Sequence, residues 1–462
     1  MGTSQLTCHG GAGTVTGANF LLEYDDTKVL VDCGIHEREE MCDPRNYGAF
    51  PYDPKTIDAL FITHAHADHI GRVPKLVRDG FRGVIYSTPA TKDLSAIMFE
   101  DALYVMRQNT SARSCGILYE EADVSRALSL WKTHEYHEPF TIGDARLRDA
   151  RGQAQAEFLD AGHILGSAMV KFSRNERVII FSGDLGNSPE PLLNDTESPE
   201  GANYLVMESV YGDRVHEAKE QRLLQLQQAI QETRERKGVL LIPSFSLERT
   251  QILLFEIYKM AETGALPKIP VYLDSPLAIR ITEVFRRYKN LMNPKAQEHF
   301  AKGNDPFGFP GLTLTTEMDE SNRIHKSPNP KIIIAGAGMS HGGRIRRHEK
   351  RYLGDNHTTL LFVGYQAQGS LGRRIQDGEK RVEIDGEHIT VRARIDTVTG
   401  YSGHKDRDGL LEFAGTAGNT LEKVFVTMGE PKSSLFLAQR IRDFLNIASA
   451  VPDAGQSFEI EW

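Results

Sequence analysis

From the N-terminus to Glu208 the chain repeats one pattern. A short apolar, β-branched run stops, and a polar side chain capable of chemistry follows at once. Val29-Leu30-Val31 stops at Asp32, and Ala59 to Ile62 stops at a histidine cluster. Glu157-Phe158-Leu159 leads to His163, Val178 to Phe181 leads to Asp184, and Tyr204 to Met207 leads to Glu208. Runs of this length and composition predict buried strands. In layered α/β proteins functional groups gather at the carboxyl ends of strands, so these five ends are expected to converge on one site.

Between the strands the apolar spacing turns helical, at Thr91 to Gln108 and at Glu120 to Trp131. Glu217 to Lys237 predicts a long helix stopped by Gly238. From residue 212 to residue 373 strand, turn and helix alternate. Val239 to Ile242 is followed by Pro243-Ser244-Phe245-Ser246 and a helix, and Val271 to Leu273 by Asp274-Ser275-Pro276. Lys331 to Ala335 is followed by GAGMSHGGR, and Leu360 to Val363 is a further strand. This alternation predicts a second α/β unit with a parallel sheet. Asp385 to Val398 reads as β-structure, Glu422 to Thr427 as a strand and Ser433 to Leu445 as a helix. The short Gly/Pro-bearing tail from Ala448 reads as peripheral.

Composition narrows the classes. The 462 residues suffice for two domains, and 40% hydrophobic with 25% charged residues suits a globular chain with a proper core. Mean hydropathy is -0.38. No apolar stretch approaches the ~18 residues of a membrane span, and MGTSQLTCHGGAG lacks the basic and apolar regions of a secretory signal. Cys8, Cys33, Cys42 and Cys115 form no CxxC pair, which suits free thiols and a cytoplasmic location. A metal would therefore be held by nitrogen and oxygen. The net charge of -9 argues against a uniformly basic nucleic-acid binder but leaves local patches open. RIRRHEKR at 344–351 and Arg286-Arg287-Tyr288-Lys289 are either such patches or solvated helix faces.

The densest chemistry is THAHADHIG, Thr63 to Gly71, which sets His64, His66, Asp68 and His69 on one short loop. Neutral imidazole and carboxylate are standard ligands for zinc-like ions. His64 and His66, two apart, can point the same way from an extended segment, and Asp68 and His69 follow as the chain turns. Two ligand pairs from one loop can serve two adjacent ions, with His163, Asp184 and His404 as distant partners. Asp184 is the natural bridge. A His/Asp set fits zinc best, and manganese or iron less well.

These residues, with Asp32, MESVYGDR around Glu208, GYSGHKD around His404, GAGTVTGAN near the N-terminus, LDSPLA at 273–278 and GYQAQGSLGRR at 364–374, resemble the metallo-β-lactamase superfamily. Within it they resemble the β-CASP ribonucleases, closest to prokaryotic homologues of the cleavage-and-polyadenylation factor endonuclease subunit. The resemblance spans nearly the whole chain. It implies a metallo-β-lactamase αββα sandwich with an inserted β-CASP α/β domain, a parallel sheet flanked by helices. The domains would be 1–211 and 374–462 for the sandwich and 212–373 for the insert. It implies that His64, His66 and His163 bind a first Zn2+, that Asp68, His69 and His404 bind a second, and that Asp184 bridges. Asp32 would orient the loop histidines, and Glu208 would sit beside the metal water and the leaving group. Asp68, Asp184, Glu208 and His404 would be the catalytic set. His404 favours RNA over DNA. The pattern is broken at Arg374 and Met428, where relatives carry histidine.

Helix N-termini bind phosphate without net positive charge. The three small-residue junctions at 243–246, 274–276 and 336–343 therefore offer a track for a nucleic-acid backbone. Its candidate contacts are Ser244, Ser246, Arg249, Ser275, Ser340, His341, Arg344, Ser370, Arg373 and Arg374. The resemblance implies zinc-dependent, endonucleolytic hydrolysis of single-stranded RNA by a dinuclear-metal-activated hydroxide. Cleavage from the 5′ end is a second mode under the same resemblance. The alternatives are another hydrolase of the superfamily, cutting a thioester or lactone, and a non-catalytic RNA-binding subunit. A homodimer through the C-terminal region is left open, and no membrane partner is expected.

Overall fold

The computed structural model describes residues 3–36, 43–109, 116–142, 154–216, 219–398 and 400–462. Two compact units emerge: residues 1–190, 194–215 and 404–462 form the first, and residues 191–193 and 216–403 the second. Cys8 and Cys33 are buried free thiols, while Cys42 and Cys115 lie outside the described residues.

Among the described residues the first unit is built on two seven-stranded sheets. One runs Gln456–Glu461, Thr3–Gly10, Asn19–Tyr24, Thr27–Val31, Ala59–Phe61, Val84–Ser87, Trp131–Thr133. It is antiparallel up to Thr27–Val31 and parallel beyond. The other runs Ala448–Ala450, Lys423–Thr427, Tyr204–Glu208, Arg177–Phe181, Ala168–Arg174, Gln155–Asp160, Phe140–Thr141. Side chains alternate across a strand, so each sheet offers one apolar face to the other. Leu6, Phe20, Val29 and Phe61 from the first sheet meet Phe158, Phe172, Phe181, Val206 and Phe425 from the second in one core. Phe61 meets Phe172 edge-on with ring centroids 4.8 Å apart, an arrangement the aromatic quadrupole favours. The outer face of the second sheet, with Leu159, Ile180 and Leu205, packs under Leu410, Phe413 and Leu437 of helices Arg407–Gly415 and Pro431–Arg440. Leu21, Leu30, Leu60 and Ile85 are buried on the outer face of the first sheet. Helices outside and sheets inside make the αββα sandwich.

The tail is not peripheral. Gln456–Glu461 pairs antiparallel with Thr3–Gly10 along six residues, and Trp462 is buried beneath the Arg174 guanidinium. Ala448–Ala450 likewise extends the second sheet beside Lys423–Thr427.

The second unit carries a six-stranded sheet in the order Leu312–Leu314, Val271–Leu273, Lys331–Ala335, Val239–Pro243, Thr359–Phe362, Arg394–Thr397. Every ladder in it is parallel. VLLIP, KIIIA and TLLF are buried at each position, as a parallel sheet covered on both faces requires. The unit continues past the boundary expected at residue 373, to Gly403. Arg394–Thr397 completes its sheet, and Val382 and Ile384 of a short hairpin enter its core. Among the described residues no helix is long and apolar enough to cross a membrane.

Candidate metal centre

The histidine loop leaves Ala59–Phe61 at the carboxyl end of the first sheet, and its last residues begin the helical turn Ala67–Ile70. Asp32, at the end of the neighbouring strand, organises it. Asp32 Oδ1 accepts the Thr63 N–H at 2.9 Å, and Oδ2 accepts the Thr63 hydroxyl at 2.8 Å. The same Oδ2 lies 2.7 Å from His69 Nδ1. With Nδ1 engaged, His69 turns Nε2 toward the cluster, the arrangement by which a carboxylate fixes an imidazole as a metal ligand.

From the other sheet, His163 follows Gln155–Asp160 and Asp184 follows Arg177–Phe181. Asp160 Oδ1 accepts the Gly162 N–H at 2.9 Å, and Ser167 Oγ accepts the His163 N–H at 3.0 Å, which sets the His163 turn. The two loops touch where only glycine fits, since a Cβ on Gly186 would stand 1.8 Å from Gly162 O. Glu208 Oε1 accepts the Leu185 N–H at 2.7 Å and lies 3.1 Å from His404 Nδ1.

Three groups of donor atoms result. His64, His66, His163 and Asp184 form the first; Asp68, His69 and Asp184 the second; Asp184, Glu208 and His404 the third. In the first, His64 Nε2 is 3.1 Å from His66 Nδ1, His66 Nδ1 is 3.3 Å from His163 Nε2, and Asp184 Oδ2 is 3.4 and 3.5 Å from His64 and His163. Four ligands at ~2.0–2.1 Å around a tetrahedral ion stand ~3.3 Å apart, so these edges match one ion. Asp184 turns its second oxygen to the second group, with Oδ1 3.3 Å from His69 Nε2, and Asp68 Oδ2 lies 3.8 Å from that nitrogen. One carboxylate thus faces two groups with different oxygens.

The residues fit a divalent metal. His69 Nε2 and Asp184 Oδ1 are buried and, at 3.3 Å, make no hydrogen bond of acceptable geometry to each other or to any other described group. Buried polar atoms are ordinarily satisfied, and an adjacent imidazole nitrogen and carboxylate oxygen left open suit a shared cation. Burial, and then neighbouring imidazoles, hold His64 and His66 well below the ordinary histidine value, in the neutral form that binds metal. Burial pushes Asp68 up to about 6. Burial also opposes ionisation of Asp184, but the His69 and His64 rings outweigh it and hold that carboxyl well below its usual range. Glu208 is raised by burial against the pull of His404.

The seven expected ligands therefore lie together, but His404 faces Glu208 and Asp184 rather than grouping with Asp68 and His69. Two supports escaped sequence reading: Thr63, which ties Asp32 to the loop, and Asp160, which sets the His163 turn. A threonine directly before the first histidine was the available signal. At the Met428 departure the thioether fills the space over Gly11, where an added Cβ would meet Sδ at 2.4 Å.

The expected phosphate contacts belong to the second unit, and they divide. Three of its loops meet at Gly336, where an added Cβ would stand 3.4 Å from both Ser246 Oγ and Ser275 Oγ. Ser275 caps helix Pro276–Arg287 by accepting the Ala278 N–H, and Ser370 caps Leu371–Gln376. Ser244 and Ser340 are buried, Ser340 donating to Glu349, while His341 is exposed. Arg249 opens helix Arg249–Glu262. The other arginines are engaged: Arg344 with Asp274, Arg373 with Asp377 and Arg374 with Glu379. His348 is buried on Asp274 at 2.7 Å, so RIRRHEKR is not uniformly a surface patch. Burial opposes ionisation of Asp274, but hydrogen bonds from His348, Ser321, Thr315 and Arg344 hold its carboxyl well below the usual range.

Comparison with known proteins agrees with this architecture. The metallo-beta-lactamase superfamily matches residues 12–124, the Beta-Casp domain residues 250–375, and the Zn-dependent metallo-hydrolase RNA specificity domain residues 388–452. Ribonuclease TTHA0252 of Thermus thermophilus is 38% identical over 404 residues, covering 87% of this chain and 89% of that protein. An RNase J-like protein of Methanocaldococcus jannaschii is 31% identical, covering 97% and 98%. Transcription termination factor FttA of Methanosarcina mazei is 30% identical, covering 96% of this chain and 69% of its own length. The crystal structure of a protein of unknown function from Enterococcus faecalis V583 shares the fold, with a TM-score of 0.59 at 13% identity, over 99% of this chain and 100% of that one.

Proposed function

Because the chain belongs to the β-CASP ribonucleases of the metallo-β-lactamase superfamily, we propose that it is a zinc-dependent ribonuclease that hydrolyses phosphodiester bonds within single-stranded RNA. The observation that carries this reading is Asp184, one buried carboxylate turning each oxygen to a different group of donors. His64, His66 and His163 with Asp184 would hold one zinc ion, and Asp68 and His69 with Asp184 would hold the other, with His404, which faces Asp184 and Glu208, completing that second set. Metal bound there supplies a Lewis acid that makes water a nucleophile at neutral pH and offsets charge on a phosphoryl oxygen.

The chain's own groups supply the rest. Asp32 holds His69 at Nδ1. Glu208 holds His404 at Nδ1 and carries the proton that the leaving 3′-oxygen takes, giving 5′-phosphate and 3′-hydroxyl ends. Ser246 and Ser275, whose hydroxyls lie 3.4 Å apart at the loop junction, would hold the substrate's phosphates. Arg249, His341 and Ser370 would be further contacts, while Ser244 and Ser340, both buried, would support the loops. Arg344, Arg373 and Arg374 would reach phosphate only by giving up their present carboxylate partners. The RNA specificity domain favours RNA over a thioester or lactone, and the cytoplasm is the compartment we assign.

Metal analysis and a labelled-RNA assay test the reading together. Two metals per chain and cleavage abolished by chelator are expected, with Asp184→Ala soluble but inert. Cleavage at the wild-type rate by Asp184→Ala would rule out the shared-carboxylate mechanism.

A further inference from the structure

The ribonuclease reading gives the carboxyl edge of the second unit's sheet to phosphates and leaves two exposed aromatic rings there without a task. Among the described residues of that unit, the large apolar side chains most open to solvent are Leu223, Leu224, Phe245, Met318 and Tyr365. The aromatic pair, Phe245 at 38% exposure and Tyr365 at 54%, falls on this one edge. They follow neighbouring parallel strands, Val239–Pro243 and Thr359–Phe362, which pair Leu240 with Thr359 and Leu241 with Leu360.

Both loops close on Gly338. A Cβ there would stand 2.6 Å from the Phe245 ring. Gln366, next to Tyr365, donates to Gly338 O at 3.0 Å. Phe245 is flanked by Ser244 and Ser246, whose backbone and hydroxyls reach the Gly336 junction. The rings are thus set beside polar groups, the Ser244 and Ser246 junction and the Gln366 amide. A protein partner needs a contiguous apolar area of several hundred Å². An unpaired base needs one π-face beside a phosphate contact, and such stacking tolerates any base.

We propose that Phe245 and Tyr365 are stacking platforms for unpaired bases of single-stranded RNA, forming a base-binding subsite beside the phosphate-holding serines. The proposal rests on the ribonuclease reading. It explains how a chain of net charge -9 would hold RNA: stacking and hydrogen bonding replace much of the usual ionic attraction.

The test uses the full chain and two fluorescently labelled probes in chelator: a short oligoadenylate and an abasic ribose-phosphate chain of equal length. The wild type is expected to bind oligoadenylate about tenfold or more tighter than the abasic chain. Phe245→Leu and Tyr365→Leu, which keep an apolar side chain against the loop, should each lose most of that preference while retaining abasic binding. Tyr365→Phe should keep it. Equal wild-type affinity for the two probes would overturn the proposal. So would leucine variants that retain the preference, or that lose both probes alike, since the ring would then serve only the loop. Wild-type cleavage of oligoadenylate with metal restored separates the two readings. Cleavage without base preference defeats the stacking proposal alone, whereas neither binding nor cleavage defeats the ribonuclease reading as well.

Discussion

Asp32 sits in the left-handed backbone region, at φ 60°, a conformation that aspartate tolerates better than most residues. That turn lets one carboxylate bind Thr63 twice and His69 once. Removing it frees the His69 ring without touching a ligand. Asp32→Ala should weaken metal binding about 10–100-fold, read by competition with a chelating dye, while far-ultraviolet circular dichroism stays unchanged. Unchanged affinity would mean that packing alone holds the ring. Glu349 makes a different prediction. It is fully buried, and burial pushes its carboxyl up to about 8 against the pull of Ser340 and Arg346. The unfolded chain releases that proton near pH ~4.3, so the folded state holds it over the interval between. Its contribution is fully present below ~4.3 and is lost as pH rises toward 8, at up to about 1.4 kcal/mol per pH unit. Glu349→Gln should remove that slope. Urea midpoints at mildly acidic and mildly alkaline pH should converge in the variant relative to the wild type, and parallel profiles would contradict the assignment.

The paired sheets depend on aromatic packing at their centre. Phe172 is fully buried against Phe61, Phe181 and Trp462. Phe172→Ala should cost about 3–5 kcal/mol, measured by urea unfolding followed through tryptophan fluorescence; a cost below ~1 kcal/mol would show that the core collapses into the space. Elements like these were legible where local pattern and burial agree. Val29 to Val31 and Val239 to Ile242 are apolar at every position, so both strands could be read. The HAHADH loop was legible because chemistry alone explains its density. Gln456–Glu461 was not. Its alternation buries only Ile460 deeply, and its partner, Thr3–Gly10, lies at the opposite end of the sequence. Arg344 and His348 could not be placed from the local pattern, which left RIRRHEKR as a basic patch or a solvated helix face, for a similar reason. Asp274, which turns them inward, is some seventy positions away, and no local window contains both partners. His404 was joined to the site beside Asp68 and His69, whereas the side chain it faces, Glu208, reaches it only through the fold.

At the scale of the whole molecule, charge sets how RNA must be held. The chain carries 63 acidic and 54 basic side chains, excluding histidine. Three arginines expected on the phosphate track already have carboxylate partners: Asp274, Asp377 and Glu379. A phosphate that recruits any of them must break an existing ion pair, so little net positive charge is available to displace condensed cations from RNA. Affinity then depends on serine hydroxyls, helix N–H groups and the exposed rings, none of which releases counterions. For single strands the logarithm of the binding constant falls with log salt at about 0.7 per neutralised phosphate. Three neutralised phosphates would give a slope of about -2, and the paired arginines should keep the measured slope shallower. Fluorescence anisotropy of a labelled oligoadenylate, in chelator and between about 50 and about 200 mM salt, reads it directly. A slope of about -4 or steeper would mean that the ion pairs at Asp274, Asp377 and Glu379 open on binding, or that basic groups elsewhere grip the backbone. Repeating the titration with Arg344→Gln, Arg373→Gln and Arg374→Gln distinguishes these cases, because opened pairs predict a shallower slope in the variants and distant contacts predict no change.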